Sequence, residues 1–172
     1  MPNDKQVKDI MLGIFEYPHV PYWFSISQAI KIVKVSFINT RKFPEPMALL
    51  VFDERYSLLG TFTLKDILGG LVPGFMKPSI AQGYKEEETE LSIIWDTLLK
   101  KESKELAEKP VSEIMVPAKI FVEPDDPVAK AAYVMLHNDL VLLPVLEKRR
   151  KLVGLVRMLE VFNEISGAVL KE

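Results

Sequence analysis

The chain has 172 residues, of which 48% are hydrophobic and 27% are charged. This composition is typical of a folded globular protein rather than a disordered one. The 22 Lys and Arg residues nearly balance the 24 Asp and Glu residues, which disfavours a protein built to bind nucleic acid, and the lack of cysteine excludes thiol catalysis, disulfide scaffolds and thiolate metal sites.

Two parts of the sequence resemble each other, which predicts an internal repeat. Residues 7–11 (VKDIM) resemble residues 111–115 (VSEIM), and residues 50–60 resemble residues 144–154. The first copy is longer mainly because of residues 39–46, whose prolines and charges indicate an enlarged loop.

In the first half, apolar residues with helical spacing predict an amphipathic helix, followed by two strands joined by a polar turn. The strands are predicted over residues 47–52 and 58–62. The apolar residues of the helix are Ile26, Ala29, Ile30, Val33 and Phe37.

The second half repeats this order. A helix is predicted after Pro127, a residue typical of the first helical position, and strands are predicted over residues 141–146 and 152–156. The apolar residues of that helix are Val128, Ala131, Ala132 and Met135, and those of a closing helix are Met158, Val161, Phe162, Ile165 and Val169. We therefore expect a first repeat over residues 1–70 and a second over residues 110–172, packed together because each is marginal in size alone.

Residues 71–109 belong to neither copy and are predicted to be an inserted linker that contains an amphipathic helix. Its apolar stripe consists of Leu91, Ile94, Trp95, Leu98 and Leu99. We expect this helix to be an intramolecular strut, since surface helices normally carry such a stripe. The alternative is an interface with another subunit.

The segment 60–66 (GTFTLKD) leaves a strand and enters a helix whose expected N-cap is Thr63. One interpretation is a capping box, in which Thr63 and Asp66 bond to each other's backbone amides. The other is a ligand site: free amides at the helix start attract phosphate, and the Asp66 carboxylate can accept hydrogen bonds from a ribose diol.

With these features in order, the two halves resemble a tandem pair of cystathionine-β-synthase (CBS) domains, the arrangement called a Bateman module. The resemblance rests on the two Ile-Met openings, the order of elements in both copies, the strand at residues 143–146 (LPVL) and the Gly-x-x-Thr-x-x-Asp signature. It implies an α+β fold of the α/β-type CBS-domain pair, with two βαββα repeats related by a pseudo-twofold axis and helices packed on small sheets.

The resemblance also implies that adenosine-bearing ligands bind between the repeats, at sites that both copies build. The ligand-binding residues implied for the first site are Thr61, Phe62, Thr63, Asp66, Lys119, Ile120, Val141 and Pro144. Ile120, Val141 and Pro144 would form an apolar slot for adenine, and Lys119 either offsets phosphate charge or is a solvated surface lysine.

The second copy departs from this pattern, because Arg157 stands in the place of the Thr and Glu160 in the place of the Asp. The opposite wall of this weaker second site would consist of Tyr17, Pro18, Met47 and Leu50. We expect this site to be empty or altered. Residues 141–143 (VLL) also lack the basic or imidazole side chain that many nucleotide-binding members carry there, which disfavours tight binding of a triphosphate.

Other candidates are weaker. His19 has no neighbouring acid or nucleophile in the sequence, Trp23 and Trp95 are expected to pack, and Asp53 and Glu54 are ordinary turn residues. The basic run 148–151 is expected to be a solvated hairpin tip. The sequence shows no catalytic triad, Walker loop or metal motif.

We therefore predict a regulatory module without catalytic turnover that requires no cofactor and binds AMP, ADP, ATP or S-adenosylmethionine as a regulatory ligand. Its expected partners are a second copy, in a homodimer, and an effector protein, but neither nucleic acid nor a membrane. Because the N-terminus lacks an apolar signal and the apolar runs are too short to span a bilayer, the cytoplasm is the expected location. The alternative is an oligomerisation or protein-interaction scaffold whose nucleotide site has decayed.

Overall fold

The computed structural model describes residues 5–72 and 100–171. The predicted amphipathic helix with Leu91, Ile94, Trp95, Leu98 and Leu99 lies outside these residues. The described part mixes helices with small sheets, which confirms the predicted α+β class.

Each half of the chain contains one helix, a pair of strands and a second helix, as the repeat predicts. The elements of the first half are α1 (Val7–Ile10), a 3₁₀ turn (Ile14–Glu16), β1 (His19–Pro21), α2 (Ile26–Val33), a π-helical turn (Lys34–Ile38), β2 (Ala48–Phe52), β3 (Leu58–Thr63) and α3 (Leu64–Leu71). Residues 100–106 are helical and form α4. The second half continues with a 3₁₀ turn (Val111–Glu113), β4 (Val116–Pro117), α5 (Val128–Asn138), β5 (Leu142–Glu147), β6 (Lys151–Arg157) and α6 (Met158–Leu170).

The local signals explain most helix boundaries. Ser25 caps α2, because its side chain accepts a hydrogen bond from the Gln28 amide at 3.1 Å while the Gln28 side chain accepts one from the Ser25 amide. Pro127 directly precedes α5, as predicted. The helical spacing that ends at Phe37 continues beyond α2 through the π-helical turn, and Phe37 remains buried.

The strand registers of the two sheets match, which relates the two repeats by pseudo-symmetry. In the first sheet the order is β1-β2-β3-β4, with β1 parallel to β2 and the other pairs antiparallel. In the second sheet β5 pairs with β6, and a parallel bridge joins Val122 to Val145 just as Val20 pairs with Val51 in the first. Both β-hairpins carry a register shift at the equivalent place, after Val51 and after Val145.

The opening segment of each repeat, which ends in Ile-Met, packs against the other repeat. Strand β4, which follows the second Ile-Met opening, pairs with β3 of the first repeat, and Leu12, which follows the first opening, pairs with Leu155 in β6. Val7 is buried in the core of the second repeat and Val111 in the core of the first. The repeats are therefore joined by backbone pairing as well as by side-chain packing. The predicted boundaries at residues 70 and 110 stay a prediction.

Gly60 and Gly154 occupy equivalent positions where the exchanged openings cross the sheets. A Cβ at Gly60 would lie 2.5 Å from the Val116 carbonyl oxygen, and one at Gly154 would lie 2.8 Å from the Leu12 carbonyl oxygen. Because real Cβ atoms do not approach backbone oxygens so closely, only glycine allows this crossing.

Three cores hold the molecule together. Alternate residues of β2 point in opposite directions: Leu49 and Val51 pack against the helices of the first repeat, while Leu50 faces the second repeat. In β5, Leu143 and Val145 face their own helices and Leu142 faces the first repeat. The middle core, between the two sheets, contains Tyr17, Ala48, Leu50, Phe52, Leu142 and Leu155.

The closing helix α6 forms as predicted, but its apolar stripe is buried only in part. Val161 is buried, whereas Phe162 and Val169 are 66% and 74% exposed. Together with Leu136 of α5, these side chains form an open apolar groove.

Candidate functional site

The start of α3 brings Thr63 and Asp66 together. The Thr63 amide donates a hydrogen bond to Asp66 Oδ2 at 2.8 Å, and the Thr63 hydroxyl donates to the same oxygen at 3.1 Å. Both residues are half-buried. Asp66 therefore caps its helix through one carboxylate oxygen, as the capping interpretation predicts, while Oδ1 has no hydrogen-bond partner in the described residues.

The other implied residues of the first site differ in how accessible they are. Thr61 pairs with Val116 at the edge where the second opening crosses β3. Phe62 is completely buried in the core of the first repeat, so its ring is a packing residue and does not face a ligand, contrary to the role implied for it.

The second-repeat residues implied for this site range from exposed to buried. Lys119 is exposed, and Ile120 packs against the second core. Pro144 is buried in β5, where its carbonyl accepts a hydrogen bond from the Val122 amide at 3.1 Å. Val141 precedes that strand and is 46% exposed.

At the start of α6 the equivalent positions hold an ion pair. Arg157 donates from Nε to both carboxylate oxygens of Glu160 at 2.9 Å, and its Nη2 contacts the same carboxylate. The two side chains are only 17% and 18% exposed. The bond to Glu160 raises the pKa of Arg157 above its ordinary value, so this carboxylate is paired with a positive charge. Within the part of the chain that the structure describes, Asp66 accepts hydrogen bonds from the neutral Thr63 amide and hydroxyl.

Tyr17 of the first repeat lies near this ion pair. Its side chain is 2% exposed, and its hydroxyl is buried without a hydrogen-bond partner in the described residues. Burial raises the pKa of Tyr17, and the nearby positive charge of Arg157 offsets part of that rise. A residue of the first repeat therefore lies near the Arg157–Glu160 pair of the second repeat.

The remaining residues implied for the second site are buried or half-buried. Leu50 is completely buried between the sheets, and its amide donates to the Pro18 carbonyl at 3.0 Å. Met47 packs against the first core.

The sequence analysis did not predict one surface cavity, which has aromatic walls. His19, Trp23, Phe52 and Tyr56 line a surface cavity with Asp53 and Glu54, and Trp23 is 55% exposed although it was expected to pack. The signal lay in aromatic residues that recur around β1 and the turn after β2, but only the parallel pairing of β1 with β2 brings them together.

In residues 5–72 and 100–171, no helix combines the length and apolar character needed to cross a membrane. The same residues contain no cluster of three or more His, Asp or Glu side chains arranged to hold a metal ion.

Comparison with known proteins agrees with this architecture. The family model of the CBS domain matches residues 111–167, whereas no curated protein sequence resembles the chain closely enough to count as a match. Among solved structures, the CBS-pair protein CBSX2 from Arabidopsis thaliana is 18% identical and superposes with a TM-score of 0.65, covering 99% of this chain and 99% of that one.

Other similar structures were solved with ligands. CBSX2 in complex with AMP is 19% identical, with a TM-score of 0.61 over 97% of this chain and 98% of that one. The CBS domain pair of protein MJ0100, in complex with 5′-methylthioadenosine and S-adenosyl-L-methionine, is 23% identical, with a TM-score of 0.60 over 95% and 98%. The cytosolic domain of the Mg²⁺ channel MgtE, in complex with ATP, is 18% identical, with a TM-score of 0.61 over 94% of this chain and 49% of that one.

At these identities the similarity concerns the fold. Residues 111–167 match the family model of the CBS domain, and the chain as a whole has the fold of the CBS-pair structures, in agreement with its internal repeat.

Proposed function

We propose that this protein is a cytoplasmic regulatory module that binds one adenine nucleotide or adenosyl compound between its repeats, without catalytic turnover. The observation that carries the proposal is the Asp66 carboxylate at the start of α3, with one oxygen bonded to Thr63 and the other without a hydrogen-bond partner among residues 5–72 and 100–171. That free oxygen can accept a hydrogen bond from a ribose hydroxyl, as acidic residues do in dinucleotide sites. The amides of the first helical turn favour a phosphate next to it.

The pseudo-symmetry supports the opposite wall of this site. Val20 and Val122 have equivalent registers, so Lys119 is the counterpart of Tyr17, just as Asp66 is the counterpart of Glu160. Tyr17 meets the Arg157–Glu160 pair across the repeats. By the same relation Lys119 and Ile120 would face Thr63 and Asp66, and an exposed lysine leaves room where the buried tyrosine does not.

The two sites differ in charge as well as in space. Glu160 already receives its hydrogen bonds from Arg157, and a ligand hydroxyl would have to compete with this bidentate pair. Asp66 has no ion-pair partner in the described residues. We therefore propose one ligand per chain, at Asp66. The complexes of related CBS pairs with AMP, ATP and S-adenosyl-L-methionine support the class of ligand.

A thermal-shift panel tests this proposal directly. AMP, ADP, ATP and S-adenosylmethionine are added to the wild-type chain, to Asp66→Asn and to Glu160→Gln, with and without magnesium. A ligand at 100 times its dissociation constant stabilises a one-site protein by about 2.7 kcal/mol. We expect a shift in the wild type and in Glu160→Gln, and its loss in Asp66→Asn. A shift that Asp66→Asn retains would disprove this site.

Regulation by the ligand would act through the packing of the two repeats. Because the site would be shared between them, a ligand that binds one arrangement more tightly than another shifts the population towards that arrangement. An effector protein could then read the change. Limited proteolysis with and without ligand tests this step: identical cleavage patterns at saturating ligand would contradict it.

We also propose that two copies form a homodimer. Phe162, Val169 and Leu136 leave an apolar groove on α5 and α6 exposed, and large exposed apolar patches are typical of interaction surfaces. Sedimentation velocity should give a dimeric mass that Phe162→Glu converts to a monomeric one. A wild-type monomer at about 100 µM, a concentration at which weak dimers form, would contradict the proposal.

The same groove favours a second candidate function, a protein-interaction scaffold without a ligand. The residues implied for the second site support this alternative, because Arg157 and Glu160 pair with each other there and Leu50 is completely buried. The panel above separates the two functions: the scaffold predicts no thermal shift with any adenosine derivative at millimolar concentration.

A further inference from the structure

The first repeat contains a surface cavity away from the α3 site. It has a volume of about 260 Å³ and lies between β1 and the turn that follows β2. Its walls are formed by His19, Val20, Pro21, Trp23, Phe52, Asp53, Glu54 and Tyr56. Four of these eight residues carry aromatic rings and two carry carboxylates, so the cavity combines apolar walls with negative charge.

The rings of His19, Phe52 and Tyr56 form one cluster, and Trp23 contacts the neighbouring Tyr22 ring. The centroid of the His19 ring lies 4.8 Å from that of Phe52 and 6.3 Å from that of Tyr56. Phe52 and Tyr56 are 5.0 Å apart. Because His19 Nε2 lies 2.8 Å from the Ile14 carbonyl oxygen, which can only accept, this nitrogen carries the proton and the ring orientation is fixed.

The turn after β2 holds Tyr56 in place. Asp53 Oδ1 accepts hydrogen bonds from the amides of Arg55 and Ser57, at 2.9 and 2.8 Å. Within this turn Tyr56 has a φ of 64°, a left-handed conformation that is uncommon for a bulky residue. Such conformations persist only where the surroundings enforce them, so the turn presents the Tyr56 ring at the cavity in a fixed position.

Each carboxylate keeps one oxygen without a hydrogen-bond partner among the described residues. Glu54 accepts from the Tyr22 hydroxyl through Oε1 at 3.0 Å, and Asp53 uses Oδ1 for the turn. Neither residue forms an ion pair within residues 5–72 and 100–171. The mouth of the cavity therefore carries two negative charges beside the electron-rich faces of aromatic rings.

We propose that this cavity binds an alkylated ammonium group. A cation over Trp, Tyr or Phe rings is attracted by the ring quadrupoles, and aromatic cages of this kind recognise quaternary ammonium groups. Asp53 and Glu54 add a long-range attraction for positive charge, while Val20, Pro21 and Phe52 contact the alkyl substituents. The same chemistry is carried by free choline-like compounds and by methylated lysine side chains.

The second repeat provides an internal comparison. Its hairpin turn, residues 147–151, has the sequence EKRRK and contains no aromatic residue. The counterparts of Glu54 and Tyr56 in the matched register are Lys148 and Arg150. A basic turn repels cations, so the proposal expects one cation site per chain, in the first repeat.

The test is a two-dimensional NMR titration of the full chain, following the indole N–H signal of Trp23, which Trp23→Phe assigns. The probes are choline and its neutral isostere 3,3-dimethylbutan-1-ol, which has the same shape without the charge. We expect choline to shift the Trp23 signal at millimolar concentration, with a dissociation constant at least about tenfold lower than that of the neutral probe. Equal binding of the two probes, or no shift with choline, would overturn the proposal.

Matched variants locate the site. We expect Glu54→Gln to weaken choline binding severalfold and Trp23→Leu to abolish it, whereas Glu147→Gln, on the equivalent turn of the second repeat, leaves it unchanged. Trp23 is more than half exposed, so its replacement should preserve the fold, and circular dichroism checks this independently. In Trp23→Leu, which lacks the indole signal, choline binding is followed through broadening of the choline lines. Choline binding that Glu54→Gln and Trp23→Leu both retain would also overturn the proposal.

A trimethyllysine peptide distinguishes the two sources of the cation. Tighter binding of choline than of the peptide assigns the site to a small molecule, and the reverse order assigns it to a modified protein. Both results support the ammonium chemistry. The adenosine site is not involved, so Asp66→Asn should bind choline like the wild type.

Discussion

Replacing Gly154 with alanine tests the exchange of openings between the repeats. The added Cβ would lie 2.7 Å from Met11 Sδ and 2.8 Å from the Leu12 carbonyl oxygen. Met11 can move its flexible side chain, but the Leu12 carbonyl belongs to a reciprocal pair of hydrogen bonds with Leu155, of 2.7 and 3.0 Å. Relief of the clash therefore requires the first opening to withdraw from β6.

The expected cost follows from two contributions. Overpacking in a well-packed region costs about 1–3 kcal/mol, and weakening the two backbone hydrogen bonds costs about 0.5–1.5 kcal/mol each. We expect Gly154→Ala to lower the free energy of unfolding by about 2–6 kcal/mol. For a protein of this size, this lowers the melting temperature by roughly 4–24 °C.

Urea denaturation followed by circular dichroism measures this effect. Gly60→Ala, at the equivalent crossing, should be destabilising to a similar degree, because its Cβ would lie 2.5 Å from the Val116 carbonyl oxygen. Gly167→Ala in α6 is the matched control: apart from its own helix backbone and chain neighbours, no atom of the described residues lies within 4 Å of the added Cβ, and alanine favours helix by about 1 kcal/mol over glycine. If Gly154→Ala is as stable as the wild type, the exchanged crossing is refuted.

Three further predictions concern the residues between the repeats. Because the pKa of Tyr17 is raised in the folded state, its contribution to stability is present below about pH 10 and is lost as the pH rises further. Denaturant titrations at increasing pH should therefore show the wild type losing more stability in alkali than Tyr17→Phe. Parallel stability curves for the two proteins would contradict this. Glu160→Gln leaves the largely buried Arg157 without its counterion and should cost about 1–3 kcal/mol in urea, whereas an unchanged midpoint would show that the pair is not formed in solution. Leu50→Ala removes a completely buried side chain and should cost about 2–5 kcal/mol in one cooperative transition; two separate transitions would indicate that the repeats unfold independently.

The sequence predicted the repeat and the pairing of Thr63 with Asp66, because both depend on local patterns. Helical spacing located α2, but it does not distinguish a regular helix from the π-helical turn that follows Val33, since both bury Phe37. The stripe of α6 was predicted from its period alone. Which part of it is buried depends on how wide a contact the sheet offers, and Phe162 lies outside that contact.

Longer-range features could not be read from local patterns. Nothing in the residues around Met11 indicates that this opening pairs with β6 rather than with its own repeat, because strand pairing between distant segments is decided by packing of the whole molecule. An arginine at position 157 could contact a phosphate or pair with an acidic side chain. The spacing of three residues to Glu160 favours an ion pair on one helical turn, and the structure shows that pair.

We expect one adenosine-bearing ligand to bind per chain, at the carboxylate of Asp66. Isothermal titration calorimetry of the wild type, Asp66→Asn and Glu160→Gln, using the ligand with the largest thermal shift, measures both the number of sites and their identity. We expect a stoichiometry of one ligand per chain, a loss of affinity of about 10–150-fold in Asp66→Asn, equivalent to 1.5–3 kcal/mol for hydrogen bonds to a charged group, and unchanged affinity in Glu160→Gln. Two ligands per chain, or loss of binding in Glu160→Gln but not in Asp66→Asn, would place the site elsewhere.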